Sequence, residues 1–212
     1  MAELIFIRHG VTSWNRERRF QGQIDIELSD EGHEQARRTA ARLAGMPIVA
    51  VYSSDLGRAR QTAEPIARAL GVPVSVEPGL KERHYGVFEG LTYDELQHKH
   101  PDAYRRWRDR EADYALPGGG ESLRSLRERV QLQMQSLARR HAGQLIAAVT
   151  HGGVLDSIYR IAAGLPGDAP RDFDLHNASI NRIGWDGERF RVLGWGDVSH
   201  LSSGLDDIEA RG

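Results

Sequence analysis

Short apolar runs alternate with amphipathic stretches along most of this chain. The apolar runs predict buried strands at residues 3–7, 47–54, 72–76 and 144–150. Apolar positions spaced three and four residues apart predict helices at residues 31–45, 55–71, 122–141 and 154–162. Strands that alternate with helices in this way are typical of a layered α/β domain with a largely parallel sheet.

Local signals place the ends of two of these helices. Asp30 is the expected N-cap of the helix at residues 31–45, and Gly45 is its expected stop. Pro65 lies inside the helical pattern at residues 55–71. Because proline lacks the backbone N–H that a helix interior uses, we expect a kink or a break there.

The last part of the chain has a different pattern. Residues 178–196 alternate around the turn dipeptide Asp186-Gly187 and predict an antiparallel hairpin. The predicted fold is therefore a three-layer α/β/α sandwich with a central mixed, mostly parallel sheet. Residues 1–200 are expected to form a single domain, in which residues 82–120 are a lid-like insertion over a pocket. Residues 201–212 have few apolar side chains and are expected to be a flexible tail.

Composition excludes several classes of function. A chain of 212 residues with 40% hydrophobic residues can bury a core of ordinary size. Its formal charge of -2 gives no general attraction for nucleic acid or acidic membranes, so neither is expected as a partner. The absence of cysteine excludes disulfides and thiolate catalysis. We expect a cytoplasmic protein, because the first residues do not resemble a signal peptide. The sequence is compatible with a homodimer but does not determine the oligomeric state.

Two histidines follow predicted strands directly. His9 lies in the sequence RHG after the first strand, and His151 lies in THGG after the strand at residues 144–150. Ligands of open α/β sheets bind beyond the carboxyl ends of the strands, so we expect the two histidines to meet there. Neither has the H-E-x-x-H spacing of a metal site, and no metal is expected. Taken singly, each is also compatible with an ordinary loop histidine.

Arginines near the same strand ends favour a phosphate ligand. Arg8 precedes His9, and Arg58 follows the strand at residues 47–54. Two guanidinium groups that approach one crevice suit the bidentate recognition of a phosphate dianion. Arg58 is equally compatible with a solvated helix face, which is the expectation for Arg60 and Arg68.

Four sequence blocks carry a resemblance to a known family. They are RHGVTSWN at residues 8–15, SSDLGRARQTA at 53–63, KERHYGVFEG at 81–90 and THGG at 150–153. Their order and separations resemble those of the histidine phosphatase superfamily, which includes the cofactor-dependent phosphoglycerate mutases. The likeness extends from residue 4 to about residue 200.

The resemblance implies a role for each of five residues. His9 matches the nucleophile that becomes a phosphohistidine, and Glu82 matches the proton donor. Arg8, Arg58 and His151 match the groups that bind the phosphoryl oxygens. Electrostatics adds the expectation that His151 is protonated when it meets the charge on the transferring oxygens. No cofactor is implied. The resemblance also assigns a set of residues to substrate binding: Asn15, Gln21, Gly22, Arg83, Tyr85 and Gly152. The helix that begins after Gly152-Gly153 is expected to point free backbone N–H groups at the same anion.

The family divides into enzymes that return the phosphoryl group to a substrate and enzymes that transfer it to water. Arg83 and Tyr85 match mutase positions. Three other positions do not: Tyr93 replaces a mutase lysine, residues 107–109 lack the mutase arginine pair, and Gly153 replaces a mutase asparagine. A pocket with less positive charge should admit water. The sequence therefore favours a metal-independent phosphomonoester hydrolase that acts on a small phosphorylated metabolite. The alternatives are a phosphoglycerate mutase and a module that binds a phosphorylated ligand or a partner.

Overall fold

A computed structural model describes residues 1–201 of the chain. In this part, six strands form one sheet in the order β3-β2-β4-β1-β5-β6. The strands are β1 (Ala2–Arg8), β2 (Ile48–Ser53), β3 (Val74–Val76), β4 (Leu145–Thr150), β5 (Ile180–Trp185) and β6 (Phe190–Asp197). Strands β1 to β4 pair in parallel, whereas β5 is antiparallel to both of its neighbours. The predicted mixed, mostly parallel sheet is confirmed.

Helices cover both faces of this sheet. They are α1 (Ser13–Arg16), α2 (Asp30–Leu43), α3 (Gly57–Leu70), α4 (Tyr93–Lys99), α5 (Pro101–Arg108), α6 (Leu123–Arg140) and α7 (Gly152–Ala163). Helices α2 and α3 pack in the core on one face, and α6 and α7 pack in the core on the other. This arrangement is the three-layer sandwich that the sequence predicts.

The residue order in β1 explains why both faces are covered. Leu4 and Phe6 contribute to the core under α6 and α7, while Ile5 and Ile7 contribute to the core under α2 and α3. All four side chains are buried. A strand with apolar side chains on both faces must lie in the middle of a layered domain, and β1 lies between β4 and β5.

One local expectation is wrong, and of the two alternatives at Pro65 the break is excluded. The N-cap of α2 is Ser29, whose hydroxyl accepts the Gly32 N–H, and Asp30 is the first residue of the helix. Asp30 is nevertheless well placed, because a carboxylate in the first turn interacts favourably with the helix dipole. Helix α3 continues through Pro65 without a break. Pro65 is only partly buried, whereas the buried side chains of Ala63 and Ile66 anchor this part of the helix in the core.

Residues 82–120 share a separate apolar cluster with Phe20. It comprises Phe20, Tyr85, Phe88, Leu96, Ala103 and Leu116. Phe20 makes edge contacts with Tyr85, Phe88 and Trp107, with ring centroids 5.2, 5.6 and 5.3 Å away. Since Phe20 precedes the Gln21–Gly22 loop, this cluster joins residues 82–120 to the edge of the predicted pocket. That they act as a lid, within one domain of residues 1–200, stays a prediction.

Within residues 1–201, no helix is long and apolar enough to cross a membrane. Nearly all of the predicted tail, residues 202–212, lies outside the described part of the chain.

Candidate active site

The two predicted histidines meet at the carboxyl ends of neighbouring strands. Arg8, the last residue of β1, pairs in register with Thr150, the last residue of β4. The next residue of each strand is therefore a histidine, and the ring centroids of His9 and His151 lie 5.1 Å apart. Both side chains are buried. The parallel register of two strands thus places both imidazoles in one pocket.

Hydrogen bonds fix the orientation of His9. Its Nδ1 lies 2.8 Å from the carbonyl oxygen of Gly10, so Nδ1 carries the proton and donates it. Nε2 consequently keeps its lone pair. The His9 carbonyl accepts a hydrogen bond from Asn177 Nδ2 at 3.0 Å. Its backbone N–H donates to the Thr150 carbonyl at 3.0 Å.

The surroundings of both histidines favour the neutral imidazole. Burial lowers the pKa of His9 well below the usual histidine range, and the charges of Arg58 and then Arg8 lower it further. Burial also lowers the pKa of His151, with Arg58 again the largest charge effect. Burial and the charges of the two guanidinium groups disfavour a protonated His151 when no anion is bound. Its protonation beside a bound phosphoryl group stays a prediction.

Arg8 and Arg58 are oriented by backbone carbonyl groups. Arg58 is 1% exposed, and its Nη1 and Nη2 donate to the carbonyls of Ile24 and Gly22 at 2.9 and 2.7 Å. Arg8 Nη1 donates to the carbonyl of Leu175. Arg60 and Arg68 are exposed, as the sequence predicts for a solvated face. Arg58 therefore belongs to the pocket and not to the helix surface.

Glu82 is buried beside the start of α7, where Gly153 lies two residues after His151. Its Oε1 accepts the Arg83 N–H at 2.7 Å, and its Oε2 accepts the Gly153 N–H at 3.1 Å. The N–H of Gly153 thus binds a carboxyl group of the protein. A Cβ atom on Gly153 would lie 2.7 Å from Glu82 Oε1. The absence of a side chain at residue 153 is therefore what allows Glu82 to approach the helix.

Glu89, the other carboxylate of the KERHYGVFEG block, has a different environment. Its Oε1 accepts the N–H of Gln23 at 3.0 Å and the N–H of Tyr85 at 2.9 Å. A Cβ atom on Gly22, whose φ is +51°, would lie 2.1 Å from the same oxygen. Glu89 therefore links the Gln21–Gln23 loop to residues 82–120.

The structure gives contacts for the residues assigned to substrate binding, and their role in binding stays a prediction. Asn15 Oδ1 accepts the Thr12 N–H at 3.0 Å, and Gln21 Oε1 lies 3.0 Å from the Thr12 hydroxyl oxygen. Gly22 contributes its carbonyl to Arg58, and Gly152 is the first residue of α7. Arg83 is buried, donates to the carbonyl of Glu121 and lies 5.4 Å from the Tyr85 ring centroid.

The structure also shows residues that the sequence analysis did not select. Ser54 Oγ lies 2.8 Å from His151 Nε2, and Thr62 Oγ1 accepts the Gly10 N–H at 3.1 Å. Both belong to the SSDLGRARQTA block, which marks the segment but not which of its hydroxyl groups points inward. Asn177, which binds the His9 carbonyl, precedes β5. Because β5 runs antiparallel to β1, the start of β5 lies beside the end of β1. The predicted hairpin begins at residue 178, so an antiparallel pairing with β1 would have indicated this position for Asn177.

No group of three or more His, Asp or Glu side chains with the geometry of a metal site occurs in residues 1–201. The ionisable groups described above are two imidazoles, two guanidinium groups and one carboxyl group.

Comparisons with known proteins agree with this geometry. The model of the histidine phosphatase superfamily (branch 1) matches residues 4–198. Phosphoglycerate mutase-like protein 4 of Arabidopsis thaliana is 43% identical over 94% of this chain and 87% of its own length. A metal-independent phosphoserine phosphatase of the same plant is 42% identical over 96% of this chain and 84% of its own.

A solved structure shows the same fold. The phosphoserine phosphatase of Entamoeba histolytica, in complex with 3-phosphoglyceric acid, superposes with a TM-score of 0.86. It is 28% identical, and the match covers 95% of this chain and 100% of that one. With four sequence blocks in register, two imidazoles at adjacent strand ends and a family match from residue 4 to residue 198, the chain belongs to the histidine phosphatase superfamily.

Proposed function

We propose that this protein is a metal-independent phosphomonoester hydrolase that acts through a phosphohistidine on a small phosphorylated metabolite. The observation that carries this proposal is the state of His9. Its Nδ1–H is bound to Gly10, its pKa is lowered by burial, and two guanidinium groups and a second imidazole lie around it. A neutral imidazole with one free lone pair is a good nucleophile.

In the first step, His9 Nε2 attacks phosphorus. The N–P bond forms as the P–O bond to the alcohol breaks, and Glu82 gives its proton to the leaving alkoxide oxygen. Arg8 and Arg58 stabilise the charge on the phosphoryl oxygens, much as a metal ion does in other phosphoryl transfers. Binding of the dianion raises the pKa of His151, so that His151 becomes protonated as the substrate binds.

In the second step, water replaces the histidine. The Glu82 carboxylate removes a proton from the water molecule, a new P–O bond forms and the N–P bond breaks. Inorganic phosphate leaves, and Glu82 has regained the proton that it gave up. One carboxyl group therefore serves both steps.

Transfer to water is favoured over a mutase reaction by Gly153. A side chain at residue 153 would collide with Glu82 and would lie 3.1 Å from the Tyr85 hydroxyl oxygen. The asparagine that the resemblance gives to mutases is thus incompatible with this position of Glu82. The names of the relatives include both activities, so the two reactions must be separated by experiment.

The test is whether the protein forms a radiolabelled phosphoenzyme with the stability of a phosphohistidine. Purified protein in EDTA is mixed with a labelled phosphomonoester, quenched, and treated with acid or base. We expect an acid-labile, base-stable label and continuous release of phosphate, both abolished in His9→Ala and inhibited by vanadate. His98→Ala, at an exposed histidine, is the matched control and should behave as wild type. A label that persists in His9→Ala would exclude His9 as the nucleophile.

A second assay separates hydrolase from mutase. With 3-phosphoglycerate, we expect phosphate and glycerate as products whether or not 2,3-bisphosphoglycerate is added. Formation of 2-phosphoglycerate that depends on the bisphosphate would establish the mutase instead. A cytoplasmic location and a homodimer stay predictions.

A further inference from the structure

The register of β2 against β4 places Ser54 beside His151. Ser53, the last residue of β2, pairs with Val149 of β4, and the Ser54 N–H donates to the Val149 carbonyl at 3.0 Å. Ser54 Oγ then lies 2.8 Å from His151 Nε2, and both residues are fully buried. A third strand end, that of β2, therefore contributes a side chain to the pair of histidines.

The Ser54 hydroxyl group has one hydrogen, and its surroundings determine where that hydrogen lies. Ser54 Oγ accepts the Leu56 N–H at 3.2 Å, and its other hydrogen-bond partner within residues 1–201 is His151 Nε2. If Nε2 carried the imidazole proton, Oγ would accept two N–H groups and the hydroxyl hydrogen would have no acceptor. Because a buried donor without an acceptor is unfavourable, Ser54 donates to Nε2.

His151 consequently carries its proton on Nδ1. A neutral imidazole has one N–H group and one lone pair, and the Ser54 hydroxyl group occupies the lone pair of Nε2. In the described part of the chain, residues 1–201, the buried Nδ1 has no hydrogen-bond partner. The His9 ring centroid lies 5.1 Å from that of His151, and the charge of Arg58 acts on the same imidazole. A buried N–H group beside the nucleophile is therefore left for an oxygen of the ligand.

We propose that Ser54 is a positioning residue, which fixes the tautomer of His151 so that its Nδ1–H donates a hydrogen bond to the phosphoryl group. This inference rests on the proposed phosphomonoesterase function and adds how the second imidazole takes part in it. An Nδ1–H group is present in this neutral tautomer and in the imidazolium ion alike. His151 can therefore donate to the phosphoryl group before it takes up a second proton.

The two histidines then differ in what they offer to the substrate. His9 donates its Nδ1–H to the Gly10 carbonyl, so its Nε2 keeps a lone pair that can attack phosphorus. His151 has Nε2 bound to Ser54, so its Nδ1–H can bind a phosphoryl oxygen. A backbone carbonyl makes one imidazole a nucleophile, and a serine hydroxyl group makes the other a hydrogen-bond donor.

NMR measures the tautomer of His151 directly. Long-range ¹⁵N–¹H spectra of protein with ¹⁵N-labelled histidine are recorded at about pH 8, above the ordinary histidine pKa. The signals of His151 are those that are missing in His151→Gln. We expect the proton on Nδ1 in the wild type and a mixture of both tautomers in Ser54→Ala, where either nitrogen can carry it. Ser53→Ala, which removes a buried hydroxyl group that donates to the Ser54 carbonyl, is the control and should leave the tautomer unchanged.

Binding of inorganic phosphate tests the role of the Nδ1–H group. Calorimetry should give an affinity about tenfold or more weaker in Ser54→Ala, the usual effect of losing a hydrogen bond to a charged group. The loss in kcat/KM should be similar for an alkyl phosphate and for p-nitrophenyl phosphate, because His151 binds the phosphoryl group and not the leaving group. Ser53→Ala should stay within about twofold of the wild type in both measurements.

The outcomes separate this inference from the proposed function. A proton on Nε2 of His151 in the wild type would overturn the inference, and that spectrum does not depend on how well a variant folds. An unchanged tautomer or an unchanged phosphate affinity in Ser54→Ala would overturn it as well. If the wild-type protein hydrolyses no phosphomonoester, the proposed function fails, while the tautomer and the phosphate affinity still decide the role of Ser54.

Discussion

The two sides of the pocket are built in different ways. On one side, His9 and His151 follow the ends of β1 and β4, and the sheet register alone brings them together. On the other side, Glu82 and Arg83 belong to a segment without any strand, and side-chain hydrogen bonds hold that segment in place. The sheet register thus fixes the two imidazoles, whereas the position of the Glu82 carboxyl group depends on side-chain and backbone hydrogen bonds.

Glu121 shows how the second side is stabilised. Its N–H donates to the His84 carbonyl at 2.8 Å, and its carboxylate accepts the His84 N–H at 3.0 Å. Arg129 of α6 binds the same carboxylate at 2.9 and 2.8 Å and also donates to the carbonyls of Gly79 and Lys81. The two ends of residues 82–120 are thereby joined to each other and to α6. A few polar contacts there replace the many backbone contacts of a sheet.

Of three substitutions around the pocket, Arg58→Ala should cause the largest loss of activity. It tests the side of the pocket that is built from the strand ends. The guanidinium group is buried beside both histidines, so we expect kcat/KM to fall about 10³-fold, as for other arginines that stabilise a transferring phosphoryl group. Arg60→Ala, two residues along the same helix and exposed, should stay close to wild type. A loss below about tenfold in Arg58→Ala would remove Arg58 from the phosphoryl site.

The same variant has a second readout that does not depend on turnover. Since Arg58 is the largest charge effect that lowers the pKa of His9 and of His151, its removal should raise both pKa values toward the ordinary histidine value. NMR titration of the imidazole protons measures this directly. Unchanged pKa values would show that burial alone keeps the two histidines neutral.

Glu82→Gln should have the next largest effect on activity. It tests whether the carboxyl group of Glu82 acts as the acid in the reaction at His9. Without the acid, phosphorylation of the enzyme by an alkyl phosphate should slow about 10²-fold or more in single-turnover experiments. With p-nitrophenyl phosphate the loss should be much smaller, because that leaving group scarcely needs a proton. The same loss with both substrates would mean that the substitution disturbs the pocket and does not remove an acid.

The contrast between the two sides also explains what the sequence could predict. Strand-end residues such as His9 and His151 were predictable because strand periodicity and parallel pairing fix where they lie. Ser54 and Thr62 lie in a block that the sequence analysis quoted, but a block does not reveal which of its hydroxyl groups points inward. The partners of Arg129 and Glu121 depend on the packing of α6 against residues far away in the chain, and no local pattern encodes that packing.

Glu89→Leu should have the smallest effect of the three and tests how firmly the two sides are joined. Glu89 Oε1 binds the N–H groups of Gln23 and Tyr85, and the neighbouring Gly22 and Ile24 carbonyls bind Arg58. Loss of the carboxylate leaves two N–H groups without an acceptor, which costs about 2 kcal/mol of stability. The displaced loop should lower kcat about tenfold. Denaturant unfolding and steady-state kinetics measure the two effects.

Glu89→Gln separates a positioning role from a catalytic one. A glutamine retains an oxygen at the place of Oε1 and can still accept both N–H groups, so it should restore most of the stability and of kcat that leucine loses. If Glu89 were instead the proton donor, glutamine would fail as badly as leucine with an alkyl phosphate, and both variants would recover with p-nitrophenyl phosphate. That pattern would transfer the role of acid from Glu82 to Glu89. Rescue by glutamine with both substrates would leave Glu82 as the acid, with Glu89 as the group that positions the loop around Arg58.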